Sequence, residues 1–186
     1  MHKTAKQALL ATGLIIGLIA CDQALKLWVH ANIPLYGQID VAPFFKLCHV
    51  QNSGMAFSMK VLPAIAQTIF RILASVGILA YLIYLLRKGT SNLMTACLSM
   101  IFAGAVGNII DNIFYAHCFE GGDFFTGKVV DMLYFPLIEG RFWNWIPWVG
   151  GEDFIFFSPV FNLADSAICV GVFLLLVTRQ IIQQTT

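Results

Sequence analysis

Charged residues are scarce in this sequence: Asp, Glu, Lys and Arg make up 11% of its 186 residues, against about 25% in a typical soluble domain. Hydrophobic residues make up 59%, and the mean hydropathy is +0.79. This composition excludes an ordinary soluble domain and indicates an integral membrane protein. The net charge of +1 lacks the basic excess of nucleic-acid-binding proteins, so nucleic acid is not an expected partner.

The sequence also lacks internal repeats, low-complexity tracts and any regular spacing of its five cysteines. Without such spacing, the cysteines predict neither a metal site nor a disulfide framework, and they are interpreted as small apolar residues. They are Cys21, Cys48, Cys97, Cys118 and Cys169. The length leaves no room for a separate soluble module, so residues 1–186 are predicted to form one membrane domain.

Four long apolar runs predict an all-α membrane protein with four transmembrane helices, because about 20 apolar residues cross a bilayer core. The runs cover residues 8–30, 62–86, 93–115 and 158–178, each bound being approximate. Basic residues favour the cytoplasmic side of a membrane, and they flank the expected inner end of every run. They are Lys3, Lys6, Arg87, Lys88 and Arg179. Both termini are therefore predicted to be cytoplasmic.

Two segments between the spans are predicted to lie outside the cytoplasm. In Asn32–Lys60, proline and glycine interrupt short β-prone runs, which favours a small extracytoplasmic β-rich cradle. Within it, Asn52–Ser58 combines an amide, a glycine and small residues, a pattern typical of close backbone approach to a ligand or of a simple turn. Cys118–Pro159 is predicted to be a long outer loop, and anchoring at the membrane boundary is the favoured interpretation of its tryptophans.

The unusual polar groups of the spans are predicted to lie at one depth. A helix rises about 1.5 Å per residue, which places Asp22 about 21 Å and Asp111 about 27 Å from the cytoplasmic side. The same rise places Asp165 about 10 Å below the outer surface. Asp131 and Asn52 fall in outer segments already. Convergence on the outer third of the bilayer favours a single site over scattered core polar residues.

Asp131 and Asp165 are the strongest catalytic candidates, because a carboxylate beside hydrocarbon is costly and is usually functional. If the two approach each other, one is driven to hold a proton, which provides an acid and a base together. That pairing is the chemistry of aspartic proteolysis. A helix cap or a surface group is the alternative interpretation of each aspartate alone.

The first span permits two further interpretations. Leu18-Ile19-Ala20-Cys21 follows a basic segment and has the form of a lipoprotein processing site, so the chain could itself be a processed lipoprotein. Asp22 and Lys26 stand four residues apart with the acid first, the favourable order for an ion pair within a helix.

The sequence resembles lipoprotein signal peptidase (signal peptidase II) over nearly its whole length. The matching motifs, in order, are Asp22-Gln23 with Lys26, Asn52-Ser53-Gly54-Met55-Ala56-Phe57, Gly107-Asn108-Ile109-Ile110-Asp111, Val129-Val130-Asp131 and Phe161-Asn162-Leu163-Ala164-Asp165. The resemblance implies a four-helix bacterial inner-membrane protease that needs no metal or cofactor. Its expected partners are membrane lipid and a diacylglyceryl-modified prolipoprotein, which it would cleave before the lipidated cysteine, acting as a monomer with its site toward the outer face.

The resemblance also implies roles for individual residues. Asp131 and Asp165 would be the catalytic dyad, with neither assigned as base or acid. Eight residues would shape the site or hold the substrate: Asp22, Lys26, Asn52, Gly54, Asn108, Asp111, Asn162 and Ala164. Two departures stand out, since Asn112 occupies a position where the family usually has arginine, and Phe142–Asp153 looks like an insertion. The insertion would be either a lid over the site or a surface anchor.

One function of another class uses the same carboxylates: a small proton- or ion-coupled carrier. Carriers place their site at the midplane between repeated halves with broken helices. The sequence has neither repeats nor midplane clustering, so the protease is the favoured hypothesis.

Overall fold

The protein is described by a computed structural model that covers residues 2–52 and 63–184. Its helices are α1 (His2–Asn32), α2 (Ala64–Lys88), α3 (Asn92–Ile110) and α4 (Leu163–Gln184), and a π-helical segment, Asp111–Glu120, continues from α3. Its strands are β1 (Gln38–Ala42), β2 (Phe45–Asn52), β3 (Val129–Tyr134), β4 (Ile138–Arg141), β5 (Asp153–Phe156) and β6 (Val160–Phe161).

The helical membrane architecture is confirmed in part. Within the described ranges, three helices are long and apolar enough to cross a membrane: Thr4–Asn32, Ile65–Lys88 and Asn92–Glu120. They contain or closely match the first three predicted spans. In the fourth, Leu163–Val177 forms a shorter apolar helix. Four complete crossings therefore stay a prediction.

The predicted start of the fourth span is wrong by five residues. The helix begins at Leu163 instead of Ser158, because Val160 and Phe161 pair with Tyr134 and Leu133 as a short strand. Pro159 also lacks the N–H that regular helix bonding requires. Asp165 is consequently the third residue of α4, about 3 Å along the helix axis and not about 10 Å.

Contacts divide the chain into two units. The first comprises Met1–Leu25, Asn52–Val129 and Leu163–Thr186, and the second comprises Lys26–Gln51 and Val130–Asn162.

In the first unit, α3 packs against both α2 and α4. Two glycines permit the close approach to α4, as their spacing predicts. A Cβ at Gly104 would overlap the backbone oxygen of Ala164, and one at Gly107 would lie 2.8 Å from Asp22 Oδ2. At the other end of α3, Ser91 caps the helix by accepting the N–H of Met94 at 3.0 Å.

The second unit contains a small sheet with strand order β1-β2-β3-β6. The hairpin β1–β2 confirms the strands expected in Asn32–Lys60, and Val130 and Met132 of β3 are fully buried. Phe135 stacks between Phe45 and Phe161, with ring centroids 4.7 and 5.8 Å away. The prediction of one long loop from Cys118 to Pro159 is therefore wrong in its local structure, since this stretch contains the three strands β3, β4 and β5, and β3 pairs with β6, a partner distant in sequence.

The predicted insertion lies at the end of a second hairpin, in which β4 pairs with β5. Its glycines close turns: the N–H of Gly151, at φ +82°, donates to the oxygen of Phe142 at 3.0 Å. The N–H of Phe142 donates to the oxygen of Glu152 at 2.9 Å. The tryptophans Trp143, Trp145 and Trp148 are exposed, Trp148 to 97%. Hydrogen bonds at Phe142 and Gly151 therefore close the base of this loop.

Candidate active site

Asp165 is held by an asparagine of α3. The helix α4 begins two residues earlier and carries the partly exposed carboxylate in its first turn. Asn108 Nδ2 donates a 2.7 Å hydrogen bond to Asp165 Oδ1. The small residues Gly104 and Ala164 bring α3 and α4 close enough for this contact. Asn108 stands three residues before Asp111 in its motif but binds Asp165, and its amide fixes the orientation of that carboxylate.

Asp131 has an equivalent amide partner in the other unit. It lies in β3, is 2% exposed, and accepts a 2.7 Å hydrogen bond at Oδ1 from Asn162 Nδ2. Asn162 is itself fully buried and stands between β6 and α4. The pairing of β3 with β6 fixes the backbone on either side of this contact. A buried carboxylate with a charge-assisted hydrogen bond has a defined rotamer, which acid–base chemistry requires.

Asp22 and Asp111 share one amide. Gln23 Nε2 lies 3.1 Å from Asp22 Oδ2, 3.0 Å from Asp111 Oδ1 and 3.1 Å from the backbone oxygen of Gly107. Both aspartates are buried, at 1% and 0% exposure. Asp22 Oδ1 also accepts the backbone N–H of Ala164 at 2.9 Å. Asp22 and Asp111 of the first and third predicted spans therefore lie together around Gln23, and the fourth span contributes the backbone N–H of Ala164.

Asn112 joins α2 to the π-helical segment. Its Nδ2 donates to the oxygen of Gly127 at 2.9 Å, and the N–H of Gly127 donates to the oxygen of Asn112 at 3.0 Å. The guanidinium of Arg71 donates to Asn112 Oδ1. Arg71 thus has the polar neighbour that an arginine in an apolar helix requires. At position 112, where the family usually has arginine, Asn112 therefore accepts a hydrogen bond from Arg71 of another helix.

The remaining predicted residues have less defined surroundings. Lys26 is fully buried, and Asn52 is partly buried at the end of β2. Gly54 lies outside the described residues. The Asp22–Lys26 ion pair and the approach of Asp131 to Asp165 stay predictions. Among the side chains that the structure describes, no three His, Cys, Asp or Glu residues are grouped as a metal site would need.

Sequence reasoning missed the linking role of Gln23. Its neighbour Asp22 is noticeable as a charged residue in an apolar run, whereas a neutral glutamine is not. Gln23 does belong to the first matching motif, which is the one signal that could have identified it. Arg71 was detectable as a charge within an apolar run, but its partner was not, because 41 residues separate it from Asn112.

Comparison with known proteins places this arrangement in a family. The family model described as signal peptidase (SPase) II matches residues 14–181. A lipoprotein signal peptidase of Porphyromonas gingivalis is 44% identical, over 92% of this chain and 83% of its own length. One from Amoebophilus asiaticus is 37% identical, over 90% of this chain and 76% of its own length.

Solved structures agree on the fold. A bacterial membrane enzyme determined by the in meso method at 2.3 Å resolution superposes with a TM-score of 0.64 and 24% identity, covering 98% of this chain and 90% of its own. A second bacterial membrane enzyme, at 1.9 Å resolution, gives a TM-score of 0.62 with 26% identity and 96% coverage of each chain. The sequence motifs, the paired aspartate–asparagine contacts and these matches lead to one conclusion: the chain belongs to the signal peptidase II family.

Proposed function

We propose that this chain removes signal peptides from prolipoproteins with Asp131 and Asp165 as its catalytic carboxylates. The observation that carries the assignment is a repeated contact: each aspartate accepts a 2.7 Å hydrogen bond from an asparagine, Asn162 for Asp131 and Asn108 for Asp165. Amides that orient carboxylates are what an acid–base pair needs. Membership in the signal peptidase II family makes the chain a membrane aspartic peptidase.

The proposed reaction is addition of water to the peptide carbonyl. The ionised aspartate takes a proton from the water as its oxygen attacks the carbonyl carbon, and the protonated aspartate polarises the carbonyl oxygen. Collapse of the tetrahedral intermediate transfers a proton to the leaving nitrogen and breaks the C–N bond. The approach of Asp131 to Asp165 is part of this proposal.

The other residues support the dyad in distinct ways. Asp22 holds the first turn of α4 through the N–H of Ala164, and Gln23 ties Asp22 to Asp111. These contacts fix the backbone that carries Asp165. For Asn52 and Gly54 we propose contact with the substrate, and for the fully buried Lys26 we propose a supporting role, following the motifs in which they stand.

The substrate is proposed to be a diacylglyceryl-modified prolipoprotein cleaved before its lipidated cysteine. A diacylated peptide lies at the membrane surface, where a site at the outer ends of the helices reaches it. The test compares purified enzyme on three peptides: the lipidated prolipoprotein, its unlipidated form, and a lipidated form with a blocked scissile position. Cleavage of the first alone supports the proposal, whereas equal cleavage of the unlipidated peptide contradicts the lipid requirement.

We further propose that the chain crosses the bacterial inner membrane four times, with both termini in the cytoplasm. We also propose that the enzyme is a monomer. One contact supports a common side for the N-terminus and the α2–α3 loop, since Gln7 Nε2 donates to the oxygen of Thr90 at 2.7 Å. The test uses chains whose native cysteines are alanine, with Asp123→Cys or Thr90→Cys added. An impermeant maleimide outside intact cells should label position 123 and not position 90; the reverse pattern would invert the topology.

For the loop Phe142–Asp153 we propose a lid that rests on the outer leaflet. The exposed tryptophans support membrane contact, because indole rings favour the interface. Its closed base supports movement of the hairpin as one piece. A passive anchor is the competing role, and the two differ in their effect on turnover.

A further inference from the structure

Four phenylalanine rings of the second unit follow one another in contact. The ring of Phe135 lies 4.7 Å from that of Phe45 and 5.8 Å from that of Phe161, with interplanar angles of 19° and 23°. The ring of Phe157 meets Phe161 edge-on at a centroid distance of 6.1 Å. Phe157 is 44% exposed, and the other three are partly exposed, so each ring leaves surface for a further contact. We call these four residues the aromatic row.

The aromatic row lies on the face of the sheet that carries Asp131. Leu133 is the register partner of Phe161 where β3 pairs with β6, and paired residues of antiparallel strands point to one face. Asp131 precedes Leu133 by two positions, and residues two apart in a strand also share a face. Asn162, the residue after Phe161, donates to Asp131 at 2.7 Å. One surface of the second unit therefore holds both the row and a proposed catalytic carboxylate.

The shape and chemistry of the aromatic row suit a long hydrocarbon chain. The successive rings follow a path longer than any single apolar side chain of a peptide. Leu133 and Leu47, both partly exposed, add aliphatic surface, since Leu47 shares the face of Phe45 two positions earlier in β2. The proposed substrate carries its acyl chains on the cysteine directly after the scissile bond. When that bond lies at Asp131, an acyl chain is the substrate group with the length to cover the row.

We propose that the aromatic row binds an acyl chain of the lipidated cysteine. The proposal rests on the proposed function and adds to it the residues that select the lipid. Contact between ring faces and hydrocarbon is stabilised by dispersion and by the removal of apolar surface from water. Phe135 is the central residue, because its ring has a stacked neighbour on each side. Substrate binding should therefore depend on acyl-chain length, and Phe135 should carry most of that dependence.

The test measures binding of a lipidated prolipoprotein peptide whose scissile nitrogen is methylated, so that binding is measured without cleavage. The diacylglyceryl group carries either palmitoyl or butyryl chains, and the purified full chain is held in nanodiscs. Peptide concentration is expressed relative to lipid, which removes the difference in partitioning. The variants are Phe135→Ala, Phe45→Ala and Phe135→Leu, which retains an apolar side chain. The matched control is Phe44→Ala, which removes a 57% exposed phenylalanine outside the row.

We expect wild type and Phe44→Ala to bind the palmitoyl peptide about tenfold more tightly than the butyryl peptide. Phe135→Ala should reduce that preference to about twofold, and Phe135→Leu should retain most of it. If the thermal midpoint shows that Phe135→Ala does not fold, Phe45→Ala decides the result. Structural damage weakens both peptides alike, so an unchanged preference or an equal weakening of both overturns the proposal.

Cleavage of the lipidated peptide without the methyl group is measured separately. Binding with the expected chain-length preference but no cleavage would contradict the proposed function and leave the acyl-chain site supported. Cleavage with a chain-length preference that no variant of the row alters would support the proposed function and overturn the acyl-chain site.

Discussion

Asp22 accepts the backbone N–H of Ala164 at 2.9 Å, across 142 positions of sequence. Ala164 is the second residue of α4, where a helix has N–H groups without partners inside the helix. A carboxylate from α1 therefore caps the helix that carries Asp165. The negative charge also complements the positive end of the helix dipole. This contact gives Asp22 a physical role that does not require it to touch the substrate.

The cap predicts a difference between two substitutions at position 22. Asp22→Ala removes the acceptor and should lower the free energy of unfolding by about 1–2 kcal/mol, the usual cost of a lost helix cap. Asp22→Asn retains an amide oxygen at the same place and should lose less than half as much. Thermal midpoints of the purified proteins in detergent measure both. Equal midpoints for the two variants would show that the contact does not stabilise α4.

The hydrogen bond from Asn108 to Asp165 predicts a loss of turnover in Asn108→Ala. A hydrogen bond to a charged group contributes about 1.5–3 kcal/mol, which corresponds to a decrease of about 10- to 100-fold in kcat/KM. The matched control is Asn92→Ala, which removes an asparagine from the first turn of the same helix. Kinetics on a lipidated prolipoprotein should separate the two. Similar activities would mean that the amide does not position Asp165.

Because α4 and the side chain of Asp22 lie close to Gly107 of α3, we expect the stability of the protein to be sensitive to substitution of this glycine. A methyl group there would lie 2.8 Å from Asp22 Oδ2 and 3.2 Å from the Ala164 Cβ. Gly107→Ala should therefore cost about 1–3 kcal/mol of stability through overpacking. Gly77→Ala is the control, because a Cβ there meets nothing within 4 Å. The opposite ranking of their thermal midpoints would contradict the packing of α3 on α4.

The lid hypothesis predicts that the loop matters for turnover. Replacing Arg141–Glu152 by a short Gly-Ser turn should slow cleavage or weaken substrate binding while the helices stay folded. The control keeps the loop and replaces Trp143, Trp145 and Trp148 by serine, which removes the membrane contact alone. Unchanged kinetics in the shortened protein, with its thermal midpoint retained, would leave anchoring as the loop's role.

The helices were largely predictable because their signal is local. Apolar runs of sufficient length predict where α1 ends, where α2 begins and ends, and where α3 begins, each within two residues. The start of α4 was not predictable, because Val160 and Phe161 are apolar and extend the apolar run of the fourth predicted span. Only their pairing with Tyr134 and Leu133, some 25 residues earlier, makes them a strand. Strand pairing depends on partners that are distant in sequence, so local composition alone does not predict it.

The candidate site was predictable as a set of residues but not as a set of contacts. Depth along the helices brought Asp22, Asp111 and Asp165 together as an expectation. The identity of each hydrogen-bond partner depends on how the helices are rotated and packed, which the hydrophobic periodicity and the length of an apolar run do not determine. Asn108 belongs to the same motif as Asp111, yet its amide donates to Asp165 on another helix. Gln23, which links the buried carboxylates, is neutral and drew no attention.

The most direct test of the central claim is the cleavage of a lipidated prolipoprotein by Asp131→Asn, Asp165→Asn and the double variant. An amide can neither take nor give the proton that attack by water requires, and loss of general acid–base catalysis costs about 10²- to 10⁴-fold. Each single variant should fall at least 100-fold in kcat with an unchanged thermal midpoint, and the double variant should fall little further. Activity near wild type in either folded single variant would contradict the aspartate dyad.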